Sequence, residues 1–525
     1  MSLIRYFLQS SERHGSRPAL SVNGATYRYA DLAKQAGDVA KVVESLSLEE
    51  SELVAILAHR SVTAYAGLLG VLLAGRGYVP FNPKFPIARS RHMLTLSGVK
   101  TVILDPDLLD TFAPLLADDP TIVIVLLDPS RQAQATTRLP RHRILVAETH
   151  MPRLCFQASV LDDRVAYVMF TSGSTGVPKG VRISHANISA YLNQVLDRYQ
   201  PTSEDRFSQM FDLTFDLSVH DMFLCWASGG CLFVPPDATV MAPSKFIREH
   251  RLTFWFAVPS VIGVMRNFRM LKPGVFPSLR YSLFCGEALP VASAVLWQEA
   301  APNSIVENLY GPTETTVAIT AYRWQIGCSE REAENGLVPI GRPFPGQRAA
   351  LVDDVLRPVA RGTVGELCLG GSQVGLGYLN QPEMTSRRFV SLDIEGQRNR
   401  WYRTGDLARE AADGTFLYVG RGDSQVKVLG YRVELGDVEH AVRQVAETEF
   451  VVALPWPPDQ ASAESIVVLV SGSLVTRDRI VQHCRTELPP YMVPSTITFL
   501  ERFPFNANGK IDRSQLNQWV KNGQA

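Results

Sequence analysis

Cysteine is scarce and scattered in this sequence. Seven cysteines occur among 525 residues, and no two of them form a closely spaced pair. Disulfide frameworks and structural zinc sites depend on paired cysteines, so the distribution argues against both and predicts reduced thiols in a cytoplasmic protein. The cysteines are Cys155, Cys225, Cys231, Cys285, Cys328, Cys368 and Cys484.

Excess charge and long apolar runs are missing as well. Lys+Arg and Asp+Glu each total 52, so no net charge attracts a polyanion such as nucleic acid. No segment approaches the ~18 consecutive apolar residues that a membrane-spanning helix needs. The N-terminus lacks the apolar core of a signal peptide, because Glu12 and Arg13 follow its first apolar residues. The sequence therefore predicts a cytoplasmic protein that binds neither nucleic acid nor membranes.

Short apolar runs alternate with helix-like patterns through the first 320 residues. The run Leu53–Leu57 predicts a buried strand and Val62–Leu73 predicts a helix, and further strand-like runs lie at 101–104, 121–127 and 165–169. Strands that alternate with helices indicate parallel βαβ units with helices on both faces of the sheet. The chain is also too long for one ordinary core. We therefore predict an α/β fold with more than one domain.

The pattern of apolar and turn-forming residues changes twice towards the C-terminus. From about residue 340, turn-rich segments predict a smaller, mainly β subdomain. After the glycine-rich stretch 420–431, about a hundred residues show a helix, strand, helix, strand pattern that suits a small α+β domain. We predict a large N-terminal domain over 1–422 and a small mobile domain over 423–525, with the junction acting as a hinge.

The segment Tyr167–Gly180 carries the strongest local signal. An apolar strand-like run leads into a loop rich in serine, threonine and glycine that holds one lysine, Lys179. Hydroxyl groups, free backbone N–H groups and glycines together suit phosphate oxygens. The spacing is not that of a Walker A loop, so we predict another kind of nucleotide-phosphate site. Its residues are Thr171, Ser172, Gly173, Ser174, Thr175, Gly176 and Lys179.

Five more segments follow this loop in a definite order. They are Phe215–Phe223, Asn308–Glu314, Tyr402–Leu407, Gly420–Lys427 and Asn506–Asp512. Together with the loop they resemble the motifs of the adenylate-forming superfamily, specifically the adenylation domains of nonribosomal peptide synthetases and their stand-alone relatives. The resemblance covers essentially the whole chain. It implies parallel-sheet αβαβα subdomains, a β-rich subdomain and a mobile C-terminal domain.

The resemblance implies a two-step reaction with ATP and Mg²⁺. A carboxylate attacks the α-phosphate of ATP to give an acyl-adenylate and pyrophosphate, and the phosphopantetheine thiol of a carrier protein then takes the acyl group. Glu314 is implied as the Mg²⁺ ligand, a role that suits a hard oxygen donor. The implied ATP or AMP contacts, beyond the loop, are Asn308, Tyr310, Gly311, Thr313, Asp406 and Arg421.

Lys510 and Asp423 receive separate roles from the resemblance. Lys510 would bridge the substrate carboxylate and the ribose–phosphate oxygen during adenylation, where a positive charge stabilises the transition state. Asp423 would be the hinge at which the small domain swings to remove Lys510 and admit the thiol.

Asp216 is the main indication of the substrate. In amino-acid-activating relatives the matching aspartate pairs with the α-ammonium group, a charge-assisted contact. The alternative is that Asp216 merely caps the following helix. Carrying over the family's pocket positions gives an almost wholly apolar set, which disfavours a charged side chain. The set is Asp216, Leu217, His220, Phe256, Leu283, Cys285, Gly286, Leu309, Val317 and Ala318.

The pocket pattern predicts a small neutral amino acid, with L-proline preferred. The pattern resembles that of stand-alone prolyl–carrier-protein ligases. Cys285 matches a cysteine in the pocket of the D-alanine–carrier-protein ligases, so the pattern is similar to theirs as well. Two roles stay open for His220: a structural imidazole or a contact to the substrate. We expect the chain to act alone on a separate carrier protein, since fifteen residues follow Lys510. Two other functions stay open: an acyl-CoA synthetase using the same adenylate step, and a catalytically silent adenylate-binding protein.

Overall fold

Strands and helices alternate along most of the chain in the computed structural model. The structure describes residues 2–46, 53–119, 121–147, 163–171, 178–240, 243–394, 396–422, 425–458, 463–504 and 511–523. Within these ranges no helix has the length and apolar character needed to cross a bilayer.

Helix α7 starts with a capping box in which Ser184 and Asn187 satisfy each other's backbone N–H groups. The helices are α1 (Leu3–His14), α2 (Tyr29–Ser45), α3 (Val62–Leu73), α4 (Ile87–Ser97), α5 (Leu109–Leu116), α6 (Gln132–Arg138), α7 (His185–Tyr199), α8 (Leu217–Ser228), α9 (Ser244–Glu249), α10 (Ser260–Asn267), α11 (Val291–Ala300), α12 (Ser329–Glu332), α13 (Pro382–Arg388), α14 (Leu435–Ala446), α15 (Arg477–Glu487) and α16 (Arg513–Lys521).

The strands are short in the two large sheets and longer in the β-rich part. They are β1 (Pro18–Val22), β2 (Ala25–Arg28), β3 (Leu53–Leu57), β4 (Gly77–Phe81), β5 (Thr101–Leu104), β6 (Val123–Leu126), β7 (Arg143–Val146), β8 (Val165–Thr171), β9 (Lys179–Ser184), β10 (Arg206–Ser208), β11 (Cys231–Phe233), β12 (Phe254–Ala257), β13 (Tyr281–Phe284), β14 (Ile305–Tyr310), β15 (Thr320–Arg323), β16 (Arg342–Pro343), β17 (Arg348–Val352), β18 (Val364–Gly370), β19 (Gly377–Tyr378), β20 (Phe389–Ile394), β21 (Gln397–Glu410), β22 (Phe416–Arg421), β23 (Gln425–Val428), β24 (Tyr431–Glu434), β25 (Val451–Trp456), β26 (Ser465–Ser471) and β27 (Thr496–Leu500).

An eight-stranded sheet places the predicted phosphate loop. Its order is β19-β9-β8-β4-β3-β5-β6-β7, and the strands from β8 to β7 are parallel. Every residue of β3 is buried, which matches its uninterrupted apolar sequence. Strand β8 ends at Thr171, so this first residue of the predicted loop lies at the carboxyl edge of the sheet, where ligands bind in such folds.

A nine-stranded sheet supplies the opposite side of the site. Its order is β16-β15-β14-β13-β12-β10-β11-β1-β2, with a parallel centre and antiparallel pairs at both ends. The prediction of parallel βαβ units is therefore confirmed for the central strands of both large sheets. Towards the edges of these sheets the chain turns back directly (β8 to β9, β14 to β15) and forms antiparallel pairs, without the crossover that a parallel pair requires.

The β-rich part and the C-terminal part follow in chain order. Strands β17, β18, β21, β20 and β22 form an antiparallel five-stranded sheet, which confirms the mainly β subdomain predicted from residue 340 onwards. The hairpin β23–β24 comes next, and then the sheet β25-β26-β27 with α14, α15 and α16. The six cysteines in the described ranges are all free, as predicted.

Candidate active site

A narrow cleft lies where several parts of the fold meet. Its walls come from the end of β8, residues 214–217 at the start of α8, the segments after β13 and β14, strands β21 and β22, the hairpin β23–β24 and Tyr491. The cleft has a volume of about 90 Å³. Because β8, β13 and β14 contribute their carboxyl ends, the cleft occupies the position expected of a ligand site in an α/β fold.

The structure brings many of the predicted residues to this cleft. Those that border it are Thr171, Asp216, Leu217, Cys285, Gly286, Tyr310, Gly311, Thr313, Asp406 and Arg421. Those that lie behind its walls are Lys179, His220, Phe256, Leu283, Asn308, Leu309, Glu314, Val317 and Ala318. Ser172, Gly173, Ser174, Thr175, Gly176, Asp423 and Lys510 lie outside the described residues.

Tyr310, Asp406 and Arg421 form a hydrogen-bonded group on one wall. The Tyr310 hydroxyl donates to Asp406 Oδ2 at 2.5 Å, and Arg421 Nη1 donates to Asp406 Oδ1 at 2.6 Å. Asp406 and Arg421 face each other across the antiparallel pair β21–β22, so the sheet register fixes the ion pair. A carboxylate can accept several hydrogen bonds, so Asp406 retains capacity for ligand hydroxyls.

Asp216 does not cap its helix. It stands at the N-cap of α8, but its side chain accepts no capping hydrogen bond and instead accepts from the backbone N–H of Val317, 101 residues away, at 3.0 Å. Only 4% of its surface is exposed. Burial raises the pKa of Asp216 to about 6, and the Val317 hydrogen bond opposes part of that rise. In the part of the chain that the structure describes, no ion pair is seen for Asp216, and the Thr313 hydroxyl is a further group that lowers its pKa.

The apolar pocket residues pack into one cluster behind Asp216. Phe256 belongs to this cluster, and its ring centre lies 4.6 Å from that of His220. The other predicted members are Leu217, Leu283, Cys285, Leu309, Val317 and Ala318. Burial raises the pKa of the Cys285 thiol to about 12, so this thiol stays protonated and acts as a small apolar wall.

His220 is a neutral, hydrogen-bonded imidazole. Its Nδ1 lies 2.7 Å from the hydroxyl of Tyr191, and burial lowers the pKa of His220 to about 3. The ring does not border the cleft. This geometry favours the structural interpretation, in which the Tyr191 hydroxyl satisfies the buried ring nitrogen.

Asn308 also makes structural contacts. Its amide nitrogen donates to the carbonyl oxygens of Val338 and Pro339, at 3.3 and 2.9 Å. These bonds fasten the segment before β16 to the end of β14, next to Tyr310. These bonds hold the strand of Tyr310 in place, whereas Asn308 Oδ1 is buried without a hydrogen-bond partner among the described residues.

Glu314 is an ionised carboxylate in a fully buried position. It accepts a hydrogen bond from the Tyr378 hydroxyl at 2.8 Å, and Arg432 Nη1 lies 3.3 and 3.2 Å from its two oxygens. Burial alone would raise its pKa, but Arg432 and Lys179 outweigh burial and lower the pKa of Glu314 to about 2. Burial, assisted by Arg432, lowers the pKa of the Lys179 ammonium to about 8.

Sequence reasoning missed the contribution of the hairpin β23–β24. Lys427, Gly430, Tyr431 and Arg432 all border the cleft, as does Tyr491 from the C-terminal part. The Lys427 ammonium lies 5.9 Å from the centre of the Tyr310 ring. The glycine-rich stretch 420–431 signalled a junction, but nothing local indicated where the hairpin after it would dock.

Two ring contacts hold the hairpin in the cleft. The Tyr431 ring packs edge-on against Phe215 at 4.8 Å and stacks on Tyr491 at 3.7 Å. Phe215 comes from the N-terminal part of the chain and Tyr491 from the C-terminal part, so Tyr431 joins the two. Such aromatic pairs add about 0.5–1.5 kcal/mol each beyond burial.

Comparison with known families agrees with this geometry. Residues 7–379 match the family model for AMP-binding enzymes, and residues 438–510 match the model for the AMP-binding enzyme C-terminal domain. The chain belongs to the AMP-binding enzyme family. Its homologues include the adenylation domains of nonribosomal peptide synthetases.

Three relatives show the extent of the match. Tyrocidine synthase 3 of Brevibacillus parabrevis is 32% identical over 522 residues, which cover 98% of this AMP-binding enzyme and 8% of the synthase. The Vibrio cholerae adenylation domain AlmE, solved with glycyl-adenosine-5'-phosphate, is 32% identical with a TM-score of 0.89, covering 99% of this chain and 98% of that one. IdnL7 is 34% identical with a TM-score of 0.74, covering 100% and 99%.

The synthases and the solved structures that match this chain differ in length. This AMP-binding enzyme spans a tenth or less of tyrocidine synthase 3 and of two linear gramicidin synthase subunits. It spans nearly all of the AlmE and IdnL7 structures. The fold expected from the sequence, with parallel-sheet subdomains, a β-rich subdomain and a C-terminal domain, is the fold of these adenylation domains.

Proposed function

We propose that this chain activates a small neutral amino acid as its adenylate and transfers it to a carrier protein. The amino acid's carboxylate oxygen bonds to the α-phosphorus of ATP, and pyrophosphate leaves. The sulfur of a phosphopantetheine thiol then bonds to the acyl carbon, and AMP leaves. The observation that carries the proposal is the buried carboxylate of Asp216 in a cleft shared with Tyr310 and Asp406, since it supplies the counter-charge for an α-ammonium.

The nucleotide would occupy the wall built by Tyr310, Asp406 and Arg421. Tyr310 offers a ring face for the adenine, and Asp406 offers oxygens for the ribose hydroxyls. Thr313, Lys179 and the loop at 172–176 would hold the phosphates. Lys510 keeps the role that the resemblance implies, which is to place a positive charge beside the reacting carboxylate.

Glu314 would hold the Mg²⁺. Its carboxylate is ionised and hydrogen-bonded by Tyr378, which fits a hard divalent cation. Among the described residues no group of three or more His, Cys, Asp or Glu side chains could hold a metal. That fits Mg²⁺ at a nucleotide site, where one or two carboxylates act together with substrate phosphates and water. The bound ion would neutralise charge on the phosphates.

Two observations support a small substrate. Asp216, Leu217, Cys285 and Gly286 of the predicted pocket border the cleft, and the bulkier Phe256, Leu283 and Leu309 belong to the buried core. AlmE, 32% identical, was solved with a glycyl adenylate. We therefore place glycine and alanine beside L-proline, the amino acid that the sequence pattern favours, as candidates. One methylene in an apolar pocket changes binding by only ~1–3 kcal/mol, so some tolerance among them is expected.

ATP–pyrophosphate exchange with a panel of acids tests this proposal. Glycine, L- and D-alanine, L-proline, serine and valine would be compared with acetate and propionate, which lack the amino group. We expect exchange with at least one small amino acid to exceed that with the amine-free acids by about 100-fold or more. Acetate and propionate have no ammonium group, so their binding would leave the buried charge of Asp216 without a partner. Equal exchange with propionate and alanine would instead favour an acyl-CoA synthetase, and no exchange at all a silent binding protein.

Amino-acid binding should weaken in acid. The pKa of Asp216 is about 6 in the ligand-free site, so its carboxylate is charged above pH 6 and becomes neutral below it. The KM for the amino acid in the exchange assay is therefore expected to be flat from pH 7 to 8 and to rise roughly tenfold per pH unit below 6. A KM that stays flat down to pH 5 would contradict the ammonium role.

A further inference from the structure

Two residues between β3 and α3, His59 and Arg60, reach from one large sheet to the other. Arg60 Nη1 donates to the carbonyl oxygens of Gln209 and Pro235, at 3.2 and 3.0 Å. Its Nη2 donates to the carbonyl oxygen of Met210 at 2.8 Å. Gln209 and Met210 come directly after β10, and Pro235 comes soon after β11. These charge-assisted hydrogen bonds therefore join the two sheets at their carboxyl edges.

The backbone of Arg60 is held in an unusual conformation. Its φ is +45°, in the left-handed region that a side chain disfavours. The side-chain amide of Asn23, from the turn between β1 and β2, donates to the Arg60 carbonyl oxygen at 3.1 Å. The Arg60 side chain is 11% exposed. Because such a backbone persists only where surrounding contacts hold it, the guanidinium has a fixed origin from which it reaches the three carbonyl oxygens.

His59 adds a second connection beside Arg60. Its Nδ1 lies 3.0 Å from Asp212 Oδ2, and its Nε2 lies 2.9 Å from Asp237 Oδ1. Asp237 also lies 2.9 Å from Arg60 Nε and 2.5 Å from Lys84 Nζ. Burial lowers the pKa of His59, but Asp212 and Asp237 outweigh burial and raise the pKa above the usual value. A protonated imidazole donates from both nitrogens, so His59 can bind both carboxylates at once.

Asp212 shapes the turn that leads to Asp216. Its Oδ1 accepts from the backbone N–H of Thr214 at 3.0 Å and from the hydroxyl of the same residue at 2.5 Å. The Asp212 carbonyl oxygen accepts from the backbone N–H of Phe215 at 3.0 Å. Asp216 comes next, and Thr214, Phe215 and Asp216 all border the cleft. The carboxylate of Asp216 therefore follows a turn whose first residue is held by His59.

The same segment supports a wall of the predicted amino-acid pocket. The Phe211 ring packs edge-on against Phe256, with 5.1 Å between the ring centres. The wall assigned to the nucleotide is built elsewhere, from Tyr310 on β14, Asp406 on β21 and Arg421 on β22. A shift of the segment between β10 and α8 would thus disturb the amino-acid side of the cleft and leave the nucleotide side in place.

We infer that His59 and Arg60 are positioning residues for the amino acid, because they hold the segment 209–215 so that the Asp216 carboxylate meets the α-ammonium. The inference rests on the proposed function in assigning Asp216 to the ammonium. Neither His59 nor Arg60 borders the cleft, so both act through the segment and not on the substrate itself. A binding group keeps its geometry only when a supporting set of contacts fixes it.

Arg60→Met is the main test, since methionine keeps the length of the side chain and removes its donors. ATP–pyrophosphate exchange would be measured with glycine, L-alanine and L-proline, and the KM for the amino acid and the KM for ATP determined separately. A misplacement of about 1 Å can cost ~100-fold, so we expect the KM for the amino acid to rise roughly 30-fold. The KM for ATP and kcat should change by less than about threefold. Deuterium uptake at residues 209–217, measured without ligands, should become faster.

Three further variants sharpen the test. Arg60→Lys keeps the charge but lacks the fork of donors, so its KM for the amino acid should lie between the natural value and that of Arg60→Met. His59→Phe keeps a ring and removes both hydrogen bonds, and should raise this KM about tenfold with little change in the KM for ATP. Arg443→Met is the matched control. Arg443 on α14 donates to the carbonyl oxygen of Val451 at 3.1 Å, and its loss should leave both KM values and deuterium uptake at 209–217 unchanged.

Three results would overturn the inference. One is a natural KM for the amino acid in Arg60→Met or in His59→Phe. Another is a KM for ATP that rises as much as that for the amino acid, which would mean general loosening. The third is unchanged deuterium uptake at residues 209–217 in Arg60→Met. Far-UV circular dichroism checks folding, and Arg60→Lys and His59→Phe decide the question if Arg60→Met does not fold.

The natural protein is measured before any variant. If it shows no amino-acid-dependent exchange, the proposed function fails and the positioning role falls with it. Each of the three results above is obtained with a natural protein that does activate an amino acid, so it overturns the positioning role and leaves the proposed function standing.

Discussion

Replacing Asp216 by asparagine is expected to lower kcat/KM for the amino acid by about 100- to 1,000-fold in ATP–pyrophosphate exchange. The substitution keeps the shape and removes the charge, so a substrate ammonium would be buried without a counter-ion. Removing one partner of a buried charge pair costs about 2–5 kcal/mol, which covers this range. The measurement is exchange at pH 7.5 over a range of amino-acid concentrations.

Asp221 offers a matched control on the same helix. It is 2% exposed, and burial raises the pKa of Asp221 well above the usual value for aspartate. Asp221 does not border the cleft, so Asp221→Asn should change kcat/KM by less than about threefold. Loss of exchange in Asp221→Asn equal to that in Asp216→Asn would show that the effect of Asp216 is on folding and not on substrate charge.

Adding a methyl group at Gly430 should separate the two half-reactions. A Cβ built there would lie 2.4 Å from Val258 Cγ1, and the backbone φ of +83° is unfavourable for any other residue. Valine is stiff at χ1, so the hairpin must lift from the cleft. Overpacking costs about 1–3 kcal/mol and the left-handed backbone about 1–2 more. The resemblance implies that the small domain swings before the thiol enters, and we assign the docked hairpin to that later arrangement. We therefore expect Gly430→Ala to slow acyl transfer to a phosphopantetheine carrier roughly 30-fold or more, and exchange by less than about threefold.

Gly472→Ala is the control for backbone strain alone. Gly472 has a φ of +73°, lies in the C-terminal part, and would place its Cβ no closer than 3.5 Å to another atom. It should leave both half-reactions nearly unchanged. The double variant Val258→Ala with Gly430→Ala relieves the clash and should recover much of the transfer rate. Transfer by Gly430→Ala at the natural rate would mean that the docked hairpin has no part in this step.

The strands and helices that the sequence predicts well are those with buried, unmixed apolar runs. Strand β3 and helix α3 have the predicted bounds, Leu53–Leu57 and Val62–Leu73. Such runs satisfy local propensity and burial together, so tertiary contacts do not move their ends. The strand predicted at 121–127 is shorter, Val123–Leu126, because its partner strands β5 and β7 begin opposite Val123, at Thr101 and Arg143.

The site was only partly accessible to sequence reasoning. The motifs located Asp216, Tyr310 and Asp406, but the sequence could not decide whether Asp216 caps its own helix. That depended on Val317, which approaches from a distant segment. The role of Arg432 depended on where the hairpin docks, and docking leaves no periodicity in the sequence. The roles of the loop at 172–176, Asp423 and Lys510 stay predictions.

Val258 lies between two glycines, Gly286 and Gly430, and its side chain limits how closely each can approach. A Cβ at Gly286, beside the amino-acid pocket, would meet Val258 Cγ1 at 3.3 Å, and one at Gly430 of the hairpin would meet the same atom at 2.4 Å. One methyl group thus works as a spacer between the wall that faces the amino acid and the element that covers the site. Substitutions made here to change which amino acid is accepted will also change how deeply the hairpin seats, so selectivity and delivery cannot be engineered independently at this position.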